Sequence, residues 1–124
     1  MRIPIRVLIV DDQEPYRAAL RMVVDMVDGF EMVGEAPDGE SGLTRAGELN
    51  PDLVLMDVQM PGIDGLEATR RLTTAHCGIR VIVLSTYHAD EYERAALEAG
   101  AIAFISKADF GPQCLIGLLE RPVD

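Results

Sequence analysis

The sequence predicts an α/β fold in which five parallel strands form one doubly wound sheet with helices on both faces. Five short apolar runs alternate with stretches of helical length, and several of these runs are almost continuously apolar. Continuous apolar runs are typical of strands that helices cover on both sides, whereas a strand with one solvated face would alternate. The 124 residues are enough for one domain with a core and too few for two.

Each strand is predicted from a short apolar run with β-branched content. The runs are Ile5 to Val10, Glu31 to Ala36, Leu53 to Asp57, Val81 to Ser85 and Ala101 to Ser106. The first, third and fourth runs are nearly unbroken, which favours strands buried on both faces of a parallel sheet.

The stretches between the strands have helical length, and the first has the clearest pattern. Its apolar residues recur at the i, i+3, i+4 and i+7 spacing of an amphipathic helix. They are Tyr16, Ala19, Leu20, Val23, Val24 and Val27. The other helices are expected at Gly39 to Leu49, Gly65 to Thr74, Asp90 to Ala99 and Gly111 to Glu120.

Strict alternation of strand and helix predicts right-handed crossovers between parallel strands. The expected strand order is 2-1-3-4-5, the flavodoxin-like order, which leaves the second strand at an edge. Residues 1 to 124 are expected to form one domain, because no linker or repeat divides them. The folded core is expected to end near residue 120, with 121 to 124 as a tail or the start of a linker, since Pro122 stops the last helix.

The charge of the chain argues against two classes of partner. Its 21 acidic and 11 basic residues give a formal net charge of −10 at pH 7, so nucleic acids and anionic membranes are repelled on average. We expect no direct nucleic-acid binding and no membrane association. The two cysteines, Cys77 and Cys114, lack zinc-ligand spacing, and no targeting segment is visible, so a cytoplasmic location is expected.

Polar residues follow four of the predicted strands, at the edge where open α/β sheets bind ligands. They are Asp11 and Asp12 after the first strand, Asp57 at the third, Ser85 at the fourth and Lys107 at the fifth. Three carboxylates in one crevice repel one another, so a cation is expected to share the site. Mg²⁺ fits because it prefers oxygen ligands, whereas zinc would find no cysteine or histidine there.

Asp57 is the predicted nucleophile because it lies at the tip of the central strand. A carboxylate can attack phosphorus and form an acyl phosphate. Mg²⁺ and Lys107 would neutralise charge on the phosphoryl oxygens during transfer. The Ser85 hydroxyl and the backbone N–H groups that follow Asp57 and Ser85 are further candidate donors to that group.

Four stretches of the chain carry a family resemblance. They are Val7 to Asp12, Leu55 to Gly65, Val83 to Ser85 and Ala99 to Lys107. In their order and spacing they resemble the receiver domain of bacterial two-component response regulators, and the part from Asp57 to Gly65 is the most specific. The resemblance implies a phosphorylation-dependent signalling switch that catalyses only its own phosphorylation and dephosphorylation, and is otherwise not an enzyme.

The resemblance assigns roles to the acidic residues. Asp57 would accept a phosphoryl group from a histidine kinase or a phosphotransfer protein. Mg²⁺ would be bound directly by Asp12 and Asp57, through water by Asp11, and by the backbone carbonyl of Gln59.

The family also implies how a signal leaves the site. Ser85 and Lys107 would contact the phosphoryl group, and Ser85 with Phe104 would form the switch, with Phe104 turning inward. The surface of the fourth helix, fifth strand and fifth helix would then change and control an output, with transcription the favoured one. Gln59 and Tyr87 flank the expected site and are candidates for tuning the lifetime of the phosphorylated form.

Two positions depart from the family pattern. Ala108 follows Lys107 where many receivers have a proline after a cis bond, and Phe104 stands where tyrosine is commoner. The combination of Leu84 to Tyr87 with a non-proline residue after Lys107 resembles receivers joined to LuxR-type helix-turn-helix effectors. DNA would then be bound by an effector that these residues do not contain. A homodimer through the fourth-to-fifth-helix surface, or through the first and fifth helices, fits the family equally.

Simpler interpretations exist for single residues. Asp11 and Asp12 could be only a polar strand end before a helix, Phe104 a core aromatic, and Lys107 a solvated charge. The alternative function is a pseudo-receiver, a protein-binding module that phosphorylation does not regulate. A Mg²⁺-dependent phosphohydrolase is disfavoured because no general acid stands beside Asp57.

Overall fold

A computed structural model describes residues 3–86 and 90–120 of the chain. It contains five strands and five helices in strict alternation. The strands are β1 (Ile5–Val10), β2 (Phe30–Ala36), β3 (Leu53–Asp57), β4 (Arg80–Ser85) and β5 (Ala103–Ser106). The helices are α1 (Glu14–Asp25), α2 (Gly39–Leu49), α3 (Gly65–Ala75), α4 (Asp90–Glu98) and α5 (Pro112–Glu120). The predicted tail, residues 121 to 124, lies outside the described residues.

The strands form one parallel sheet in the order β2-β1-β3-β4-β5, so the predicted flavodoxin-like topology is confirmed. Strand β2 lies at one edge and β5 at the other. The pairing of β1 with β2 shifts by one residue, since Val7 pairs with Met32 but Leu8 pairs with Gly34. Val33 is left out of the register and forms a bulge on the edge strand.

Two hydrophobic cores lie on opposite faces of the sheet. Val54 and Met56 of β3 pack into the core that includes residues of α2, α3 and α4. Leu53 and Leu55 pack into the core with residues of α1 and α5. Successive side chains of a strand point to opposite faces. Since both faces are covered, the continuous apolar runs have the burial expected of them.

Helix α1 buries a narrower stripe than the apolar pattern predicts. Leu20 and Val24 are buried, and Val27 is buried just after the helix ends. Ala19 and Tyr16, which share the apolar spacing, are exposed. Ala19 lies at the margin of the apolar face, and the Tyr16 ring packs against the ammonium group of Lys107.

Strand β5 begins two residues later than predicted because the end of α4 uses the intervening backbone. Gly100 has a φ of +105°, a conformation that favours glycine. The Ala101 N–H donates to Ala96 O at 3.0 Å and the Gly100 N–H donates to Leu97 O at 3.1 Å. Such bonds close the last turn of a helix before a strand can start.

Arg6 connects the start of the sheet to the end of α2. Its Nη1 donates to Leu49 O at 2.7 Å and to Asn50 O at 2.9 Å. These carbonyls belong to the negative end of the helix dipole, where a cation is favourable. The helix ends there because Asn50 adopts a left-handed φ of 49°.

Replacing Arg6 with methionine is therefore expected to lower the free energy of unfolding by about 1–2 kcal/mol, since two carbonyls lose a charged donor. Urea denaturation measures the change. Arg45→Met is the matched control, because Arg45 makes a long, exposed ion pair of 3.6 Å with Glu48, and its replacement should change stability by less than about 0.5 kcal/mol. Equal losses in both variants would contradict this role of Arg6.

None of the helices in the described part of the chain is long and apolar enough to cross a membrane.

Candidate functional site

The carboxyl ends of the strands form one polar cleft of about 220 Å³. Asp57 is the last residue of β3 and Ser85 is the last residue of β4, while Asp12 lies just beyond β1. The described residues that line the cleft are Asp12, Gln13, Asp57, Gln59, Ser85, Thr86 and Lys107. The structure thus brings together side chains that are up to 95 positions apart, from 12 to 107.

Three carboxylates meet at this cleft. One carboxylate oxygen from each of Asp11, Asp12 and Asp57 lies within 4.8 Å of the others. Asp11 and Asp57 are buried, and Asp12 is exposed. A cluster of three hard oxygen donors fits the ligand preference of Mg²⁺.

Lys107 supplies a positive charge beside these carboxylates. Its Nζ atom lies 2.8 Å from Asp11 Oδ2 and 3.4 Å from Asp57 Oδ1. The Lys107 side chain is only 7% exposed, so its charge is weakly screened by water. Its backbone N–H donates to Ser85 O at 2.8 Å, which ties this residue to the end of β4. All peptide bonds among the described residues are trans, including the bond from Lys107 to Ala108.

The surroundings of Asp57 alter its acidity. Burial, and then the negative charge of Asp11, raise the pKa of Asp57 to about 6, while the nearby Lys107 ammonium opposes the increase. At pH 7 most of the carboxyl group is nevertheless ionised. A desolvated carboxylate next to a cation has the charge that a nucleophile toward phosphorus requires.

The acidic loop after β1 is held by backbone and side-chain donors. Asp11 Oδ1 accepts a hydrogen bond from the Gln13 N–H at 2.9 Å. Asp11 O accepts one from Arg17 Nη1 at 2.7 Å, and the Arg17 guanidinium also pairs with Glu14 and Glu35. Arg17 therefore anchors the first turns of α1 to the loop that carries the carboxylates.

Arg17 and Tyr16 also belong to this region, although no motif in the sequence indicates them. The Lys107 Nζ atom lies 3.8 Å from the centroid of the Tyr16 ring. No spacing in the sequence could have indicated this contact, because it depends on where α1 lies relative to the end of β5.

The remaining predicted residues have different positions. Gln59 is exposed and Ser85 is buried, and both line the cleft. Phe104 is 8% exposed and packs in the core on the α2, α3 and α4 face. Tyr87 lies outside the described residues. The Val58 N–H, which follows Asp57, donates to Leu84 O at 3.0 Å and so belongs to the pairing of the sheet.

Residues 7–120 match the model of the response regulator receiver domain family. The chain belongs to this family. Its receiver domain carries the family's fold and is the type of domain that operates in two-component signalling.

Curated relatives of the receiver domain are response regulators. It is 45% identical over 103 residues to the response regulator GacA of Pseudomonas viridiflava, which covers 83% of this chain and 48% of that protein. It is 39% identical over 103 residues to the transcriptional regulatory protein LiaR of Bacillus subtilis, covering 83% of this chain and 49% of that protein. The chain thus spans about half the length of these relatives.

Among solved structures, the receiver domain is similar to a two-component response regulator of the LuxR family from Aurantimonas. The TM-score is 0.85 at 29% identity, and the match covers 94% of this chain and 83% of the other. The agreement supports the arrangement of strands and helices described above.

Proposed function

We propose that this receiver domain is a switch in which Asp57 accepts a phosphoryl group from a histidine kinase or a phosphotransfer protein. The observation that carries the proposal is the position of Asp57, within 4.8 Å of the Asp11 and Asp12 carboxylates and 3.4 Å from Lys107. In the reaction an Asp57 oxygen attacks phosphorus, the new O–P bond forms as the donor's P–N bond breaks, and imidazole leaves.

Mg²⁺ is the cofactor that these residues fit. Asp12 and Asp57 would bind it directly, Asp11 through water, and Gln59 through its backbone carbonyl. When bound it supplies positive charge against the carboxylates and the phosphoryl oxygens. The convergence of one carboxylate oxygen from each of Asp11, Asp12 and Asp57 within 4.8 Å supports such a ligand set.

Lys107 and Ser85 would act on the transferred group. The Lys107 ammonium lies close enough to Asp57 to neutralise charge that collects on a phosphoryl oxygen attached there. Ser85 is buried at the end of β4 and lines the same cleft, so its hydroxyl would donate to a second phosphoryl oxygen. New charge-assisted contacts of this kind favour one of two existing conformations.

Phosphorylation would change the surface formed by α4, β5 and α5, and this surface would control the output. Ser85 and Phe104 would form the switch. They lie on neighbouring strands, because Ser85 of β4 pairs with Ser106 of β5 and Val83 of β4 pairs with Phe104 of β5. Phe104 is buried in the core on the α2, α3 and α4 face, so a change in its rotamer would alter the packing next to β5. Gln59 and Tyr87 would tune the lifetime of the phosphorylated form.

The native protein would act as a transcription regulator in the cytoplasm. The relative LiaR is a transcriptional regulatory protein, which supports this output. DNA would be bound by an effector domain outside these residues, because the net charge of −10 opposes binding by the receiver itself. The free thiols Cys77 and Cys114 are compatible with a reducing compartment.

A homodimer is proposed for the active form. Exposed apolar side chains support both surfaces under consideration. Leu97 on α4 is 49% exposed, while Met22 on α1 is 66% and Ile116 on α5 is 44% exposed. Comparing the mass in solution of Leu97→Lys and Met22→Lys after phosphorylation identifies the surface, because a buried charge opposes association.

Incubation with acetyl phosphate and Mg²⁺ is expected to add one phosphoryl group to the chain, as measured by intact mass. Asp57→Asn should give no adduct, because the amide cannot form the acyl phosphate. Asp25→Asn is the matched control, since Asp25 is an exposed carboxylate on α1, and it should be phosphorylated like the wild type.

Removal of Mg²⁺ with a chelator should abolish the adduct in the wild type. A wild-type chain that stays unmodified where a known receiver reacts would refute the proposal. The chain would then be better explained as a pseudo-receiver that binds a partner independently of phosphorylation.

A further inference from the structure

We infer that Tyr16 is a positioning residue for phosphoryl transfer, because its ring holds the Lys107 ammonium beside Asp57. The inference rests on the proposed function. Lys107 Nζ lies 3.8 Å from the ring centroid, well inside the distance at which a cation is attracted to the face of an aromatic ring.

Lys107 needs such a contact because a lysine side chain is flexible. Its four-carbon stem allows many rotamers, and its ammonium group carries three N–H donors. Asp11 Oδ2 and Asp57 Oδ1 lie near the group at 2.8 and 3.4 Å. The Tyr16 ring supplies a third contact, and the Lys107 side chain is left only 7% exposed. Two carboxylates and one ring therefore define the position of the charge.

Tyr16 itself lies in a turn that hydrogen bonds connect to the acidic loop. It is in the first turn of α1 next to Pro15, and its N–H donates to Gln13 O at 3.1 Å. Arg17, the next residue, donates to Asp11 O at 2.7 Å. The ring and the Asp11 carboxylate are thus held in one local unit, against which Lys107 is placed.

The position of the ring limits how it can act. Tyr16 is not among the described residues that line the cleft, and it lies outside the cluster of three carboxylates. Its influence on the reaction would therefore pass through Lys107. Holding the ammonium where phosphoryl charge collects reduces the reorganisation needed during transfer. The ring is 37% exposed, so the domain should tolerate its replacement.

Tyr16→Phe and Tyr16→Leu form the test pair. Phenylalanine keeps the aromatic face and removes only the hydroxyl group, whereas leucine keeps an apolar side chain without the aromatic face. With acetyl phosphate and saturating Mg²⁺, Tyr16→Leu is expected to be phosphorylated about threefold to thirtyfold more slowly than the wild type. Tyr16→Phe should stay within about twofold of the wild-type rate.

A direct measurement of the contact is available because Lys107 is the only lysine in the sequence. Its ε-methylene protons therefore give one assignable NMR signal. That signal should be shifted upfield by the aromatic ring in the wild type and in Tyr16→Phe, and the shift should disappear in Tyr16→Leu. A Tyr16 ring that did not lie against Lys107 in solution would leave this difference absent.

The inference is overturned if Tyr16→Leu is phosphorylated at the wild-type rate, or if its Lys107 methylene signal equals that of the wild type. Equal slowing in Tyr16→Phe and Tyr16→Leu would also overturn it, because the aromatic face would then not be the cause. Failure of the proposed function is distinguishable, since the wild type itself would take no phosphoryl group while the NMR comparison still reports on the contact.

Discussion

Gly65→Ala is expected to lower the free energy of unfolding by about 3 kcal/mol or more, at the upper end of overpacking effects. A Cβ atom on Gly65 would overlap the carbonyl oxygen of Asp57, and it would lie 2.8 Å from the Asp57 carbonyl carbon and 2.9 Å from Val58 Cα. All three are backbone atoms, so no side-chain rotation relieves the overlap. Urea denaturation measures the loss of stability.

The same substitution should also reduce phosphorylation of the molecules that remain folded. The Gly65 N–H donates to Val58 O at 2.8 Å, so the first turn of α3 lies directly on the end of β3. Moving that turn away displaces the backbone that carries Asp57. A loss of phosphoryl uptake that exceeds the loss of folded protein would show this displacement.

Gly47→Ala is the matched control. Gly47 lies in α2, and a Cβ atom there would meet nothing within 4 Å. Alanine in an exposed helix position should instead raise the free energy of unfolding by about 0.5–1 kcal/mol. If both alanine variants changed stability in the same direction, close approach of backbone could not be the reason for glycine at position 65.

Asp57→Asn is expected to make the Mg²⁺-free domain more stable at pH 7, by about 1–2 kcal/mol after allowance for solvent screening. The ionised Asp57 is buried beside Asp11, and both effects raise its pKa to about 6. An amide of nearly the same size removes that charge. Chemical denaturation in the presence of a chelator measures the gain.

The pH dependence of the free energy of unfolding follows from the direction in which the pKa of Asp57 is shifted. Because the pKa of Asp57 is higher in the folded than in the unfolded state, the folded state binds more protons between about pH 4 and about pH 6. The contribution of this group to stability therefore decreases as pH rises through that window and is constant above it. Asp57→Asn should lack this component, so the difference between the two stability curves should grow from pH 4 to pH 6.

Addition of Mg²⁺ should make the wild type more stable than Asp57→Asn, which reverses their order in the absence of the ion. A ligand that binds only the folded state stabilises it by about 2.7 kcal/mol when its concentration is a hundred times Kd. The wild type should gain this stabilisation, and Asp57→Asn should gain much less because a proposed ligand is missing. An equal response of both proteins to Mg²⁺ would argue against Asp57 as part of the metal site.

Much of the fold was predictable because its strands are buried on both faces. The runs from Ile5 to Val10 and from Leu53 to Asp57 have the bounds that the apolar pattern predicts. The strand order then brings the predicted polar residues to one edge, and Asp12, Asp57 and Lys107 line the same cleft. Strand ends in a parallel sheet share an edge, so this part of the site needed no knowledge of side-chain packing.

The contacts that depend on packing between elements were not predictable. Tyr16 has the spacing of the apolar residues of α1, but it is partly exposed and contacts Lys107. The hydrogen bond from the Val58 N–H to Leu84 O depends on the register of β3 against β4. Gly65 likewise looks like an ordinary helix start until the distance between α3 and β3 is known.

The bulge at the outer edge of the sheet has a consequence for the behaviour of the protein at high concentration. A further strand adding to β2 would meet Val33 out of register, and it would approach the carboxylates of Glu31 and Glu35. Irregular and charged edges discourage strand addition, which is the first step of β-sheet aggregation. We therefore expect the domain to resist fibril formation through this edge even when it accumulates in the cell.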